Sequence, residues 1–291
     1  MRAVLIWTPA SLCGVVGLKP TYGRVSLRGV IPLSWSLDHA GPMARWVADV
    51  ACLFQAMAGY DPADPYSLPV PADDTAIQFD GDVVGWRIAL AVGAHIDQAE
   101  TEVRQAVQAA ASIFEQLGAV VTPVEPPLIA EARQTNPIIS ASDAAAFHRE
   151  RLQSAPEEFG SDVLARLKQG EAYTAVDYVL ARRRQAEIRR TFEQFFEQYD
   201  LLLLPTNAST AFRPDDPDFE RLRVTLPHFV TPFNLTGLPA LSLPCGFSTR
   251  GLPIGLQIVG APWSEARILR AAYTYEQVTP WHLRTPGGAQ P

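Results

Sequence analysis

R-I-A-L-A-V at Arg87–Val92, E-T-E-V-R-Q-A-V-Q-A-A-A-S-I-F-E-Q-L at Glu100–Leu117 and A-V-V-T-P-V at Ala119–Val124 decide the fold class between them. The outer two are short apolar runs, each the length of a strand. The middle one is rich in Ala and Gln and stops at Gly118, as a helix does. Strand, helix, strand in that order predicts a parallel crossover, and hence an α/β architecture.

The flanks extend the same pattern. V-V-G-L-K-P at Val15–Pro20 is a short apolar run ended by proline and predicts a buried strand. Gly23 and Gly29 punctuate the loop after it. Val47, Val50, Ala51, Phe54 and Met57 form a helical stripe that ends at Gly59. D-P-A-D-P-Y-S-L-P-V-P, Asp61–Pro71, carries too many prolines for regular structure and reads as a connecting segment. Beyond Val124 a mostly helical middle is expected from about Pro137 to Tyr199. Its last helix places Val176, Val179, Leu180, Ile188, Phe192, Phe195 and Tyr199 near one face. Arg182–Arg184 and Arg189–Arg190 lie opposite, interleaved with Glu187 and Glu193, and read as a solvated face rather than an anion site. D-L-L-L-L-P (Asp200–Pro205), Ala240–Cys245 and Pro253–Val259 predict three more strands, the last two joined by a turn at Ser248–Gly251. Ser264–Gln277 is the closing helix, with Ser264 as its expected N-cap.

Composition narrows the function classes. Of the 291 residues, 47% are hydrophobic and 19% charged, enough to bury a large core without disulfides or metals. The formal charge of −7 argues against a broad basic face for nucleic acid. The aliphatic runs, such as Leu201–Leu204, fall far short of the ~20 residues of a membrane span. Pro9 interrupts the N-terminal apolar stretch before it reaches the ~7–15 residues of a signal-peptide core. Cys13, Cys52 and Cys245 form no C-x-x-C pair and no zinc spacing, which suits buried thiols in a reducing compartment. Together these features fit a cytoplasmic protein.

Familiar catalytic motifs are absent: the sequence has no G-x-S-x-G, Walker loop, G-x-G-x-x-G or H-E-x-x-H. His39, His95, His148, His228 and His282 are scattered without ligand spacing. The acidic stretch Asp215–Glu220 lacks the glycine and alternation of a calcium loop and reads as solvated. Ser36, Asp38 and His39 are too close in sequence for a serine triad, whose members come from distant segments.

A far more specific pattern lies in P-A-S-L-C-G-V-V-G-L-K-P-T-Y-G-R-V-S (Pro9–Ser26). With S-L-D-H-A-G-P-M-A-R (Ser36–Arg45), D-P-A-D-P from Asp61, F-N-L-T-G-L-P-A-L-S-L-P-C-G-F (Phe233–Phe247) and G-L-P-I-G-L-Q-I-V-G (Gly251–Gly260), it resembles the amidase signature family. The blocks keep the family's order, falling in 9–65 and 200–277 around a variable, largely helical middle at 125–199. The resemblance implies a partial amidase domain over 1–291, with an α/β/α fold: a mixed central sheet flanked by helices. It also implies hydrolysis or transfer of carboxamide groups by a Ser–cis-Ser–Lys triad, with no metal or cofactor. A small-molecule amide is then the expected partner. The A subunit of a tRNA-dependent amidotransferase shares these blocks and is the alternative within the class; a non-catalytic binding module is the alternative outside it.

The N-terminus departs from the family. Counting back from Pro9 sets Met1–Leu5 against the family's D-[TA]-G-G-S and Trp7 against its arginine. Leu5 then occupies the nucleophile's place, and Ala3 and Val4 replace the glycines of the oxyanion turn. The lysine and bridging serine belong to family segments that precede this point. Loss of one triad member can cost about 10⁶ in rate, so an N-terminally truncated, inactive chain is expected and no catalytic residue is assigned. Met1–Leu5 can be encoded G·ATG·CGG·GCG·GTT·CTN, which regrouped one base earlier spells Asp-Ala-Gly-Gly-Ser, so one inserted base would explain both departures. The competing reading is a shortened, non-catalytic relative. Exposed strand edges and apolar patches, and with them self-association as a homo-oligomer or aggregate, are expected of such a chain.

Overall fold

The computed structural model describes residues 6–70, 79 and 82–285. Its elements run α1 (Trp7–Cys13), β1 (Val16–Lys19), β2 (Met43–Ala44), α2 (Val47–Met57), β3 (Arg87–Ala91), α3 (Thr101–Gln116) and β4 (Val120–Val124). Four helices follow: α4 (Ile129–Phe147), α5 (Arg149–Ser154), α6 (Ser161–Ala172) and α7 (Ala175–Gln198). The chain closes with β5 (Leu201–Pro205), α8 (Phe219–Thr225), α9 (Thr231–Thr236), β6 (Ala240–Phe247), β7 (Pro253–Val259) and α10 (Glu265–Gln277).

The strands form one seven-stranded mixed sheet in the order β2-β1-β6-β7-β5-β3-β4. The expected crossover is present: β4 runs parallel to β3, with Ile88 opposite Val121, and β5 lies parallel on the other side of β3. β6 and β7 form an antiparallel pair, Ser242 opposite Gln257, closed by a turn in which Gly251 adopts φ +76. Each residue of β5 is buried, which explains its unbroken aliphatic sequence: helices cover a strand with no wet face. α3 turns Val103, Val107, Ala110, Ala111 and Phe114 inward, and Phe114 stacks on Tyr275 of α10 with ring centroids 5.5 Å apart. Against β1, β6 and β7 lies α1, so close that a Cβ at Gly17 would meet Ala10 at 2.8 Å. α4 packs against α6, α7 and α9 beside the sheet.

Several expectations need correction. α1 and α9 escape a reading by periodicity because both are short and buried nearly all round, polar residues included; burial makes them helical. α4 begins at Ile129 and carries Pro137 in its interior, so the helical middle starts earlier than Pro137. The C-terminal half of α7 buries Ile188, Phe192 and Phe195, but Val176, Val179 and Leu180 are 67%, 64% and 58% exposed. Ser264 holds the N-cap position of α10, yet its hydroxyl donates backwards to the carbonyl of Ala261 at 2.7 Å instead of capping. Cys245 is buried, whereas Cys13 and Cys52 are exposed; all three are free. The acidic stretch ends inside α8, where Glu220 pairs with Arg223 at 2.6 Å. Among the described residues no helix is long and apolar enough to cross a membrane.

Candidate functional site

Met1–Leu5, which the family resemblance sets against the nucleophile motif, lie outside the described residues, as does Pro71 at the end of the connecting segment. From Ile6 onward the first turn of α1 is held by a polar seam. With the Asn207 amide nitrogen turned toward Leu226, it donates to that carbonyl and to Thr8 Oγ1, both at 3.3 Å, while its oxygen accepts from Ser11 Oγ at 3.2 Å. Thr206 donates its N–H to the Gly255 carbonyl at 2.9 Å, and its hydroxyl lies 2.8 Å from Ser242 Oγ. The sequence suggests Pro205–Thr210 as either a cleft element or a plain turn. Its residues are buried, and Asn207 among them seats α1, while Thr206 pairs with Ser242 and Thr210 accepts from Arg250 at 3.4 Å. Beneath α1, Lys19 is fully buried, donates to the Pro20 carbonyl at 3.0 Å and lies 5.2 Å from the centre of the Trp7 ring. Burial drives its ammonium well below the ordinary lysine range, opposed by the charge of Glu265.

Ser36, Asp38 and His39 do not converge. Ser36 Oγ donates to Asp143 at 2.6 Å, while Asp38 accepts the N–H groups of Leu33 and Ser34 at 2.8 and 3.0 Å. His39 Nδ1 lies 2.7 Å from the Leu37 carbonyl, and burial holds its imidazole far below its ordinary pKa. Three neighbours at a turn point in three directions, which is why such triads come from separate segments.

What the fold does bring together lies between α4, α6 and the α8–α9 segment: a cavity of about 520 Å³. Arg133, Asn136 and Ser140 of α4, Arg166 of α6, and Val224, Pro227, His228, Thr231 and Asn234 are among its lining residues. Asn234 is fixed by donating to the Leu37 carbonyl at 2.9 Å and accepting from Asn136 at 3.4 Å. Arg133 Nη2 lies 2.6 Å from His228 Nε2, and burial lowers the guanidinium pKa. Leu226, whose carbonyl Asn207 reaches, immediately precedes Pro227 of the lining, so cavity wall and α1 seam form one continuous structure. None of these cavity residues stands out from sequence as a site residue except His228, and that only as one of five scattered histidines. Arg133, Arg166 and His228 come from three separate segments, and no local pattern marks them. His95 and His228 do approach, ring centroids 6.5 Å apart, but no group of three metal-binding side chains exists among the described residues.

A mixed seven-stranded sheet between helices, with a cavity beside it, defines an α/β protein. The family model for Amidase matches residues 6–269, and the chain belongs to that family. It is 40% identical to an amidase of Pseudomonas putida, over 96% of this chain and 61% of that protein. It is 38% identical to the A subunit of glutamyl-tRNA(Gln) amidotransferase of Thermosynechococcus vestitus, over 96% of this chain and 63% of that one. Among solved structures, the corresponding amidotransferase protein from Thermotoga maritima superposes with a TM-score of 0.81 at 30% identity, over 96% of this chain and 61% of that one. An inhibitor-bound complex described as vestigial and linked to the origins of an s-triazine catabolic enzyme superposes at 0.86 and 29% identity, over 95% of this chain and 61% of that one. The chain therefore spans about three-fifths of the length of the curated relatives it matches.

Proposed function

We propose that the protein to which these residues belong hydrolyses the C–N bond of a small carboxamide, and that residues 1–291 are part of its single amidase domain. The reading is carried by the family match through residues 6–269, which runs through both the polar seam at α1 and the cavity. In it, the sheet frames the site, the seam fixes the start of α1, and the cavity holds the body of the amide. Asn136, Asn234 and Thr231 offer the neutral hydrogen-bonding groups an amide needs. The nucleophile, bridging serine and lysine are those the resemblance assigns to positions before Ile6. With Leu5 at the nucleophile's place, the 291 residues are inactive by themselves. A cytoplasmic setting fits this chemistry.

The similarity to amidotransferase A subunits supports a second reading, in which the same chemistry releases ammonia within a larger complex. The test is a protein extended upstream by a family segment and carrying Leu5→Ser, assayed on a panel of carboxamides. Amide cleavage by the extended protein, and none by the 291-residue chain, is expected. Cleavage only alongside a co-purifying partner would favour the amidotransferase. A silent extended protein would leave a binding module, and turnover by the 291-residue chain would overturn its assigned inactivity. Sequencing the coding DNA around Arg2–Leu5 decides whether a single base separates the two forms.

A further inference from the structure

We infer that Arg133 makes the cavity a receptor for an anionic group, a carboxylate by chemistry, so that the amide substrate carries a negative charge away from the bond that breaks. This rests on the hydrolase reading above for the word substrate, but not for the anion site itself.

Among the described residues, the lining brings two guanidiniums and an imidazole to one cavity and no Asp or Glu. Arg133 is half-buried, and its contacts are the imidazole of His228 at 2.6 Å and, at the limit of hydrogen bonding, Gln98 Oε1 at 3.5 Å. The nearest acid in sequence, Glu131, turns instead to Arg184 at 3.5 Å. A guanidinium has five N–H donors in a planar fork, so two such contacts leave a pair of donors for a bidentate ligand. Because Arg133 donates, His228 Nε2 accepts and the ring is neutral; it aims the fork without adding charge. Behind it His95 is held down to about 4 by burial and by the charge of Arg133, so it too is neutral near pH 7. Removing a cation from water without a counter-charge is costly, and an arriving carboxylate offsets that cost. The same cavity offers Asn136, Asn234 and Thr231 for the uncharged end of the molecule, so one ligand can satisfy both halves.

The experiment is calorimetric titration of the 291-residue protein with succinamate, its neutral isostere succinamide, and succinate. Succinamate is expected to bind about tenfold or more tightly than succinamide, with an affinity that falls as salt rises. Arg133→Gln should abolish that preference, and Arg133→Lys should restore part of it. Equal affinities for succinamate and succinamide, or a preference retained in Arg133→Gln, would overturn the proposal. Should Arg133→Gln not fold, the wild-type comparison of the two isosteres still decides. Failure of the hydrolase reading looks different: both anions bind through Arg133, yet the extended protein cleaves no amide.

Discussion

The carboxylate of Asp143 on α4 accepts the hydroxyl of Ser34, distant in sequence, at 2.6 Å. Ser36 donates to the same oxygen at 2.6 Å, and Tyr178 of α7 donates to the other at 2.8 Å. Asp143 is buried, so three neutral hydroxyls replace the water it would otherwise hold. The cluster ties the loop around residues 33–39 to two helices of the cavity layer. Leu37 of that loop receives the Asn234 amide, and Asn234 accepts from Asn136 on α4. One buried acid thereby holds a wall of the cavity in place.

Asp143→Ala should therefore destabilise the fold by about 2–3 kcal/mol, because it strands the fully buried Ser34 hydroxyl and weakens two further donors. Asp143→Asn keeps one acceptor and should cost about half as much. Denaturant unfolding measures both. Tyr178 supplies a second readout: burial first, then its bond to Asp143 and that group's charge, push its phenol up to about 12. In Asp143→Ala the phenol should titrate nearer the ordinary value of about 10. An unmoved tyrosinate titration would show that the contact is not made in solution.

At Gly170 α6 meets α4 so closely that an added Cβ would overlap the backbone carbonyl of Ala141. Backbone cannot rotate away as a flexible side chain can, so Gly170→Ala must push the helices apart. A loss of about 1–3 kcal/mol is expected. Arg166 lies one turn before Gly170, and Asn136 and Ser140 precede Ala141, so the displacement also reaches the cavity. Weaker succinamate binding in Gly170→Ala, measured well below its melting temperature, checks this second effect.

Val176, Val179 and Leu180 sit at i, i+3 and i+4 on the exposed first half of α7. Replacing them together by Gln should leave the melting temperature unchanged within about 0.5 kcal/mol of stability, since no packing is lost. It should also lower the apparent mass in light scattering if this stripe drives self-association. Unchanged scattering would move that role to another face, such as the edge with Met43, Trp46 and Leu53.

The sheet was legible where burial has a simple period. Ile88–Ala91 and Leu201–Leu204 are continuous apolar runs because both faces are covered, and Val103, Val107, Ala110 and Phe114 repeat at helical spacing because one face is. The same rule misled on α7: at about 3.6 residues per turn Val176, Val179 and Leu180 lie roughly 120–160° around the helix from Phe192, on a different face from the one that Ala181, Gln185, Ile188 and Phe192 bury. α1 and α9 show no period to read. For the site, local sequence ruled out a Ser36–Asp38–His39 triad, which the diverging side chains explain. It could not reveal the Arg133–His228 contact, since 95 residues separate the two and only tertiary packing joins them.

Glu276 gives the fold a pH dependence of defined sign. This buried residue of α10 accepts the Val47 N–H at 2.9 Å, at the start of α2. Burial raises its carboxyl from 4.5 to about 7, the Val47 hydrogen bond opposes the rise, and Asp49 adds to it. Between those values the folded state holds a proton that the unfolded chain has released. Its contribution to stability is thus complete below about pH 4.5 and disappears as pH climbs through about 7. The span corresponds to roughly 3 kcal/mol at most. Glu276→Gln keeps an acceptor for Val47 but has no proton to lose. The variant should match the wild type near pH 4.5 and exceed it increasingly up to pH 8, when unfolding free energies are compared at each pH. Parallel curves for the two proteins would mean that Glu276 ionises in the fold as it does in water.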